Sequence, residues 1–191
     1  AESSEGVENT WLWYFINSLF DPLDQRDWVL AWFQYFYRCA IDLMPRPGQN
    51  IFIFGLANKG KTFFSREVIG KSVGGFVDAS RYLVNGDSFG SENFHVPLWC
   101  IDDSTPGNTS SGHDRFASML KKAAANQQHK YNEKFQVPTT VSWSGRVIIT
   151  ANVDFESSRI LGSLDNSSAD KTCVFRATNK TLDFPERYKL Q

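Results

Sequence analysis

Four apolar residues, Ile51-Phe52-Ile53-Phe54, run directly into Gly55-Leu56-Ala57-Asn58-Lys59-Gly60-Lys61-Thr62. No other stretch constrains the fold as strongly, because it joins a buried-strand pattern to the spacing G-x-x-x-x-G-K-T. Gly55 and Gly60 let the backbone take conformations closed to residues with a Cβ and bring its N–H groups close to an anion. Those groups, with the N-terminus of a helix predicted to start at Lys61, form an anion site. Lys61 adds a point charge suited to the β- and γ-phosphates of a nucleotide, and the Thr62 hydroxyl suits a Mg²⁺ ion. Asn58, Lys59 and Phe63 belong to the same wrapping segment. The alternative is a glycine turn with an incidental lysine. The strand before it and the helical Phe63–Val68 segment after it favour the phosphate site, with ATP and Mg²⁺ as the expected cofactors.

A second apolar strand, within His95–Ser104, closes on Asp102-Asp103. Alone it would read as an ordinary strand ending in an acidic turn. Some forty residues after a phosphate loop it reads as the other half of an ATPase site. Asp102 is assigned to the metal and Asp103 to polarising the attacking water. A β-branched strand, Arg146–Asn152, ends in an amide that can contact both the γ-phosphate and that water. Thr172–Arg176 is a further short strand, and another is predicted near Phe76-Val77.

Before the loop, residues 1–48 read as a helical region and 49–191 as the core. Trp11, Trp13, Tyr14, Phe15, Ile16, Leu19 and Phe20 form one dense apolar segment, broken by Asp21-Pro22. A second helix is predicted over about Asp24–Met44, with Trp28, Val29, Ala31, Trp32, Tyr35, Phe36 and Cys39 at helical spacings. These aromatics fit a core or a subunit interface better than a base-stacking platform. The first residue is Ala1 rather than Met, so a piece of a longer chain is expected.

Composition narrows the partners. The 191 residues carry a formal net charge of −1, so any nucleic-acid contact must be local. Cys39, Cys100 and Cys173 are widely spaced and read as reduced thiols of a cytoplasmic protein. The three histidines lack ligand spacing, and no zinc site is expected. No apolar run approaches the ~20 residues of a membrane span.

The one basic concentration lies at residues 114–146, where Arg115, Lys121, Lys122, Lys130, Lys134 and Arg146 face only Asp114 and Glu133. Residues 104–113 are a loop by composition, and Phe116, Met119, Leu120 and Ala123 then mark a helix. Asn126–Pro138 reads as two short arms about a tip near Asn132, with Tyr131 and Phe135 among the lysines. Lysines pair with phosphates and rings with bases, so a single-stranded nucleic acid suits this loop. The alternative is a solvated hairpin kept soluble by its lysines.

In that order, the motifs resemble the superfamily 3 helicases, most of all the helicase part of phage primase-polymerases. The likeness covers roughly residues 50–176. Lys130–Pro138 is especially similar to the family's B′ stretch. The resemblance implies an α/β P-loop ATPase of AAA+ type, with a central mainly parallel sheet flanked by helices and an N-terminal helical region. It further implies an ATP-driven helicase of phage or plasmid DNA replication that grips single-stranded DNA through Lys122, Lys130, Tyr131 and Lys134. A homo-hexamer is implied for the full-length protein, with a fused or associated primase-polymerase, in the cytoplasm of the host cell if viral.

Two departures from the family stand out. Its members carry an arginine after the Asn strand that reaches a neighbour's ATP; here Arg159 is the first candidate and Lys171 the next, with Arg176 beyond. Lysine presents a point charge rather than a planar fork. The N-terminal part is also short for a hexamer collar, which allows an isolated fragment to be monomeric. The rival functions are a P-loop kinase of a small molecule, which would need an arginine-rich lid, and a non-catalytic DNA-binding or assembly module governed by ATP.

Overall fold

A computed structural model describes residues 10–20, 22–85, 91–103, 110–125, 128–131, 139–153 and 170–180. Its centre is a five-stranded sheet made of β1 (Asn50–Gly55), β2 (Phe76–Asp78), β3 (Leu98–Asp102), β6 (Arg146–Asn152) and β7 (Thr172–Arg176). The strands lie in the order β2-β3-β6-β1-β7, with every neighbouring pair parallel. Strands buried on both faces need apolar residues at successive positions, which is why β1, β3 and β6 show as continuous apolar runs in the sequence.

Alternate residues supply two separate cores. Ile51, Ile53, Leu98, Cys100, Ile148 and Phe175 face one side, where α1 (Trp11–Leu19) and α2 (Leu23–Ile41) cover them with Phe15, Leu19, Val29 and Phe36. Phe52, Trp99, Ile101, Val147 and Ile149 face the other side, against Phe116, Leu120 and Ala123 of α4 (Ser110–Ala125). The N-terminal helices therefore share one core with the phosphate-loop strand. Thr10 caps α1, its hydroxyl accepting from the Trp13 N–H at 3.2 Å.

Several boundaries differ from the sequence expectation. Helix α2 stops at Ile41, three residues short of Met44, because Leu43 turns left-handed (φ 50°) and the Met44 N–H bonds back to Cys39 O. Its buried residues include Val29, Trp32, Phe36, Cys39 and Ala40, while Trp28 is 68% exposed and Tyr35 is also exposed. Helix α3 (Lys61–Phe63) starts where expected but continues as a π-helical stretch, Phe64–Gly70. Helix α4 starts at Ser110, inside the segment read as a loop.

The hairpin is real but longer than expected. Strands β4 (Gln128–Tyr131) and β5 (Thr139–Ser142) pair antiparallel, with Lys130 opposite Thr140, so the second arm lies beyond Pro138. Residues 132–138, which include the tip expected near Asn132, are outside the described residues. At the hairpin's root, His129 is buried against Phe94, Trp99 and Trp143. The Trp99 and Trp143 rings stack at 4.0 Å, tying the hairpin root to β3. Such an aromatic pair contributes about 0.5–1.5 kcal/mol beyond its buried area.

No helix among the described residues is long and apolar enough to cross a membrane.

Candidate functional site

The carboxyl ends of β1, β3 and β6 meet at one edge of the sheet, the place where parallel α/β sheets hold ligands. The register sets Asp102 beside Thr150 and Gly55 beside Asn152. A cleft of about 270 Å³ opens there, lined by residues 57–63 with Asp102, Asp103 and Asn152. The chain thus brings together Asn58, Lys59, Gly60, Lys61, Thr62, Phe63, Asp102, Asp103 and Asn152 from three separate segments.

The loop backbone is bent as an anion cradle requires. Asn58 (φ 59°) and Gly60 (φ 82°) both have positive φ, a backbone state used in the nests that hold anions. Gly55 lacks a Cβ for a different reason from the one the spacing suggested. A Cβ there would stand 2.8 Å from that of Ala177, in the segment that follows β7.

Lys61 is 5% exposed, and its ammonium has three hydrogen-bond acceptors for its three protons. It donates to Gly55 O at 3.2 Å, Leu56 O at 2.8 Å and Asn152 Oδ1 at 3.0 Å. Burial pushes this group below the usual lysine range, while the carboxylates of Asp103 and Asp102 pull it back up.

The two carboxylates have distinct surroundings. Asp102 accepts from the Thr62 hydroxyl through both oxygens (3.0 and 3.1 Å) and from the Thr150 hydroxyl at 2.6 Å. The Arg66 guanidinium stands 3.7 Å away. Asp103 is exposed and left-handed (φ 47°), and both its oxygens are held by Asn152, by the backbone N–H at 3.0 Å and the side-chain amide at 2.9 Å. Asn152 therefore joins Lys61 to Asp103, while Thr150, two residues earlier on the same face of β6, holds Asp102.

Thr150 and Arg66 were not recognised from the sequence. A threonine inside a β-branched run looks like strand propensity alone. The available signal was its period-two relation to Asn152, which puts both on the face that meets the two aspartates.

The site's metal chemistry is limited to oxygen. Among the described residues no three His, Cys, Asp or Glu side chains cluster. The Thr62 hydroxyl and the Asp102 carboxylate do lie within 3.1 Å of each other. One hydroxyl and one carboxylate fit Mg²⁺, which keeps several waters and takes the rest of its shell from phosphates.

Other expected site residues lie elsewhere. Lys171 precedes Thr172, which pairs with Asn50 at the end of β1 opposite Gly55, and its ammonium sits on its neighbour Asp170 at 2.5 Å. Arg159 and Lys134 are outside the described residues, and the side chains of Lys130 and Tyr131 are not described. Lys122 is in the last turn of α4, half-buried.

Arg146 does not belong to a basic surface. It is 2% exposed, donates to Gly145 O at 2.7 Å and Arg46 O at 2.8 Å, and lies over the Tyr35 ring. At the first position of β6 it plugs the core beneath Gly48, so it serves the fold.

No protein-family model matches the chain, and no curated protein matches it in sequence. Solved structures do match. One is the apo structure of the NrS-1 C-terminal region (305–718), with a TM-score of 0.60 and 15% identity over 86% of this chain and 37% of that one. An A-form apo structure of the same region gives 0.56 and 16% over 86% and 36%. JCV helicase with a bound thiazolopyridine phenoxyphenyl acetamide gives 0.51 and 14% over 87% and 44%. This chain thus spans less than half of each of these structures. At such identities the likeness is one of fold, and the chain shares the α/β fold of these structures, built on a central parallel sheet flanked by helices.

Proposed function

We propose that this chain is the ATPase core of a superfamily 3 type DNA helicase, a cytoplasmic translocase on single-stranded DNA in phage or plasmid replication. The observation that carries the reading is the hydrogen-bonded path from Lys61 through Asn152 to Asp103, beside the Thr62–Asp102 pair, at one end of a parallel sheet. Residues 1–48 are the helical region and 49–191 the motor core.

In this reading ATP lies in the cleft, with Gly55, Asn58, Lys59, Gly60, Lys61, Thr62 and Phe63 around it. The loop N–H groups and the Lys61 ammonium bind the phosphate oxygens. Since all three Lys61 protons already have acceptors, one of these bonds must be exchanged for phosphate. Asn152 Oδ1 is the candidate, because it alone belongs to another strand. That exchange would free the amide to report the γ-phosphate to Asp103, which orients the attacking water. Thr62 and Asp102 would hold Mg²⁺, which neutralises charge building on the β- and γ-oxygens when bound.

Lys171 lies about five strand residues, on the order of 16 Å, from its own phosphate loop. It could complete only a neighbouring subunit's site, and Arg159 is the other candidate for that role. A homo-hexamer linked to a primase-polymerase would supply the neighbour. The hairpin carrying Lys130, Tyr131 and Lys134, with Lys122 behind it, would hold the strand. Its root rests on Trp99, three residues before Asp102 on β3, which gives a mechanical route between site and hairpin.

The deciding experiment measures ATP turnover with and without single-stranded DNA, alongside the mass of the assembly. Turnover stimulated by DNA supports the helicase. Turnover indifferent to DNA but dependent on a small-molecule acceptor supports a kinase, and ATP binding without turnover supports an assembly module.

Two further outcomes are expected. Lys130→Ala should weaken single-strand binding and lower its salt slope by ~0.7 for each phosphate that is no longer paired. An unchanged slope removes the hairpin from the DNA path. Thr150→Val keeps the shape of a residue only 1% exposed but removes the hydroxyl on Asp102. Loss of such a supporting bond costs ~10–100-fold in metal affinity, so nucleotide binding should need that much more Mg²⁺. Thr150→Ser should restore it, and an unshifted Mg²⁺ titration would remove Thr150 from the metal's support.

A further inference from the structure

One wall of the cleft does not suit phosphate. Phe63 follows Thr62 directly, lines the cleft and remains 42% exposed. An apolar ring beside a charged ligand is out of place unless the ligand also has an apolar part. The ring is not loose. Trp11 and Phe15 of α1 meet it edge-on, at centroid distances of 5.7 and 5.4 Å and interplanar angles of 76° and 82°. Those two rings are themselves stacked at 5.3 Å and 7°. The cleft is thus lined by the polar side chains of Lys61, Thr62, Asp102 and Asn152 and also by an aromatic ring.

We infer that Phe63, braced by Trp11 and Phe15, is the platform on which the base of a nucleoside triphosphate stacks. The inference rests on the nucleotide reading above and adds how the base is held. Its position supports this: Phe63 is one residue beyond the loop proposed to bind phosphates and lines the same cleft, so the ring is within reach of a nucleoside attached to them. A flat base gains from any aromatic face, and such stacking tolerates every base because each has a π-face. The N-terminal helix thereby becomes part of the nucleotide site, through the two rings that hold Phe63 in place.

The test compares ATP with inorganic tripolyphosphate, which keeps the anion and omits base and sugar. Calorimetry on the wild-type chain, Phe63→Ala and Phe63→Tyr, all with Mg²⁺, gives the affinities. In the wild type ATP should bind more tightly than tripolyphosphate. Phe63→Ala should lose ~10-fold in ATP affinity with its tripolyphosphate affinity unchanged, and Phe63→Tyr should keep the ATP affinity. An equal loss for both ligands would show that the ring only supports the loop, and no loss for either would show that the base goes elsewhere. Both results overturn the inference while leaving the phosphate site standing. If the wild type binds neither ligand, the nucleotide reading falls and the platform with it.

Discussion

Lys61→Ala should weaken ATP binding by ~10–100-fold. A hydrogen bond to a charged group contributes about 1.5–3 kcal/mol. Exchanging the Asn152 bond for a phosphate oxygen puts one such bond on the ligand, so its loss costs about 1.5–3 kcal/mol, a factor of ~10–100 in affinity. The expected loss is specific to the ligand. Burial lowers the pKa of Lys61, so the charged form is less favoured in the folded protein than in the unfolded chain. Removing the ammonium removes that cost, and of the acceptors it leaves, Gly55 O keeps the Val153 N–H at 3.1 Å and Asn152 Oδ1 borders the cleft. Thermal stability should therefore hold while binding weakens. Calorimetric ATP titration beside a melting curve checks both. Unchanged affinity would refute the nucleotide site, and a collapsed melting temperature would mean that the three bonds hold the loop together.

The loop and its strands were legible because their physics is local. Ile51–Ile53, Trp99–Ile101 and Val147–Ile149 are buried on two faces, which selects apolar residues at successive positions. The motif spacing then fixed Gly60, Lys61 and Thr62. What was not legible depends on how distant segments meet. Trp28 and Val29 are adjacent in a sequence rich in rings, and a 3.6-residue period does not say which side of the helix faces the sheet. The core that also holds Phe64 and Ile69 takes in Val29 and leaves Trp28 outside. Arg146 counts as a charge in any composition window, yet its guanidinium finds the Arg46 carbonyl in the segment after α2, a hundred residues earlier. The hairpin's second arm passes Pro138 because Thr139–Ser142, not the lysine-rich segment, supplies the partners of β4. Thr150 shows the same limit at the site: its hydroxyl matters only once the register sets it against Asp102.

That register also separates the two carboxylates, and the separation is tested most sharply by Asp103→Asn. Turnover should fall by ~10²–10⁴, the range for loss of a general base, while ATP affinity stays within a few-fold. Asparagine is the suitable replacement because the backbone at Asp103 is left-handed, a conformation that Asn tolerates. The substitution has a local cost. Asp103 accepts from both donors of Asn152, and an amide can accept from only one of them while turning its own N–H toward the other. Any resulting shift of Asn152 would act on Lys61, so the ATP titration doubles as the control that this path is intact. Asp102→Asn should behave differently. Its carboxylate is held by Thr62 and Thr150, and the variant should need more Mg²⁺ for nucleotide binding. If Asp103→Asn keeps its turnover, the water-orienting role is wrong. If Asp102→Asn loses turnover with no change in its Mg²⁺ requirement, the two roles are exchanged.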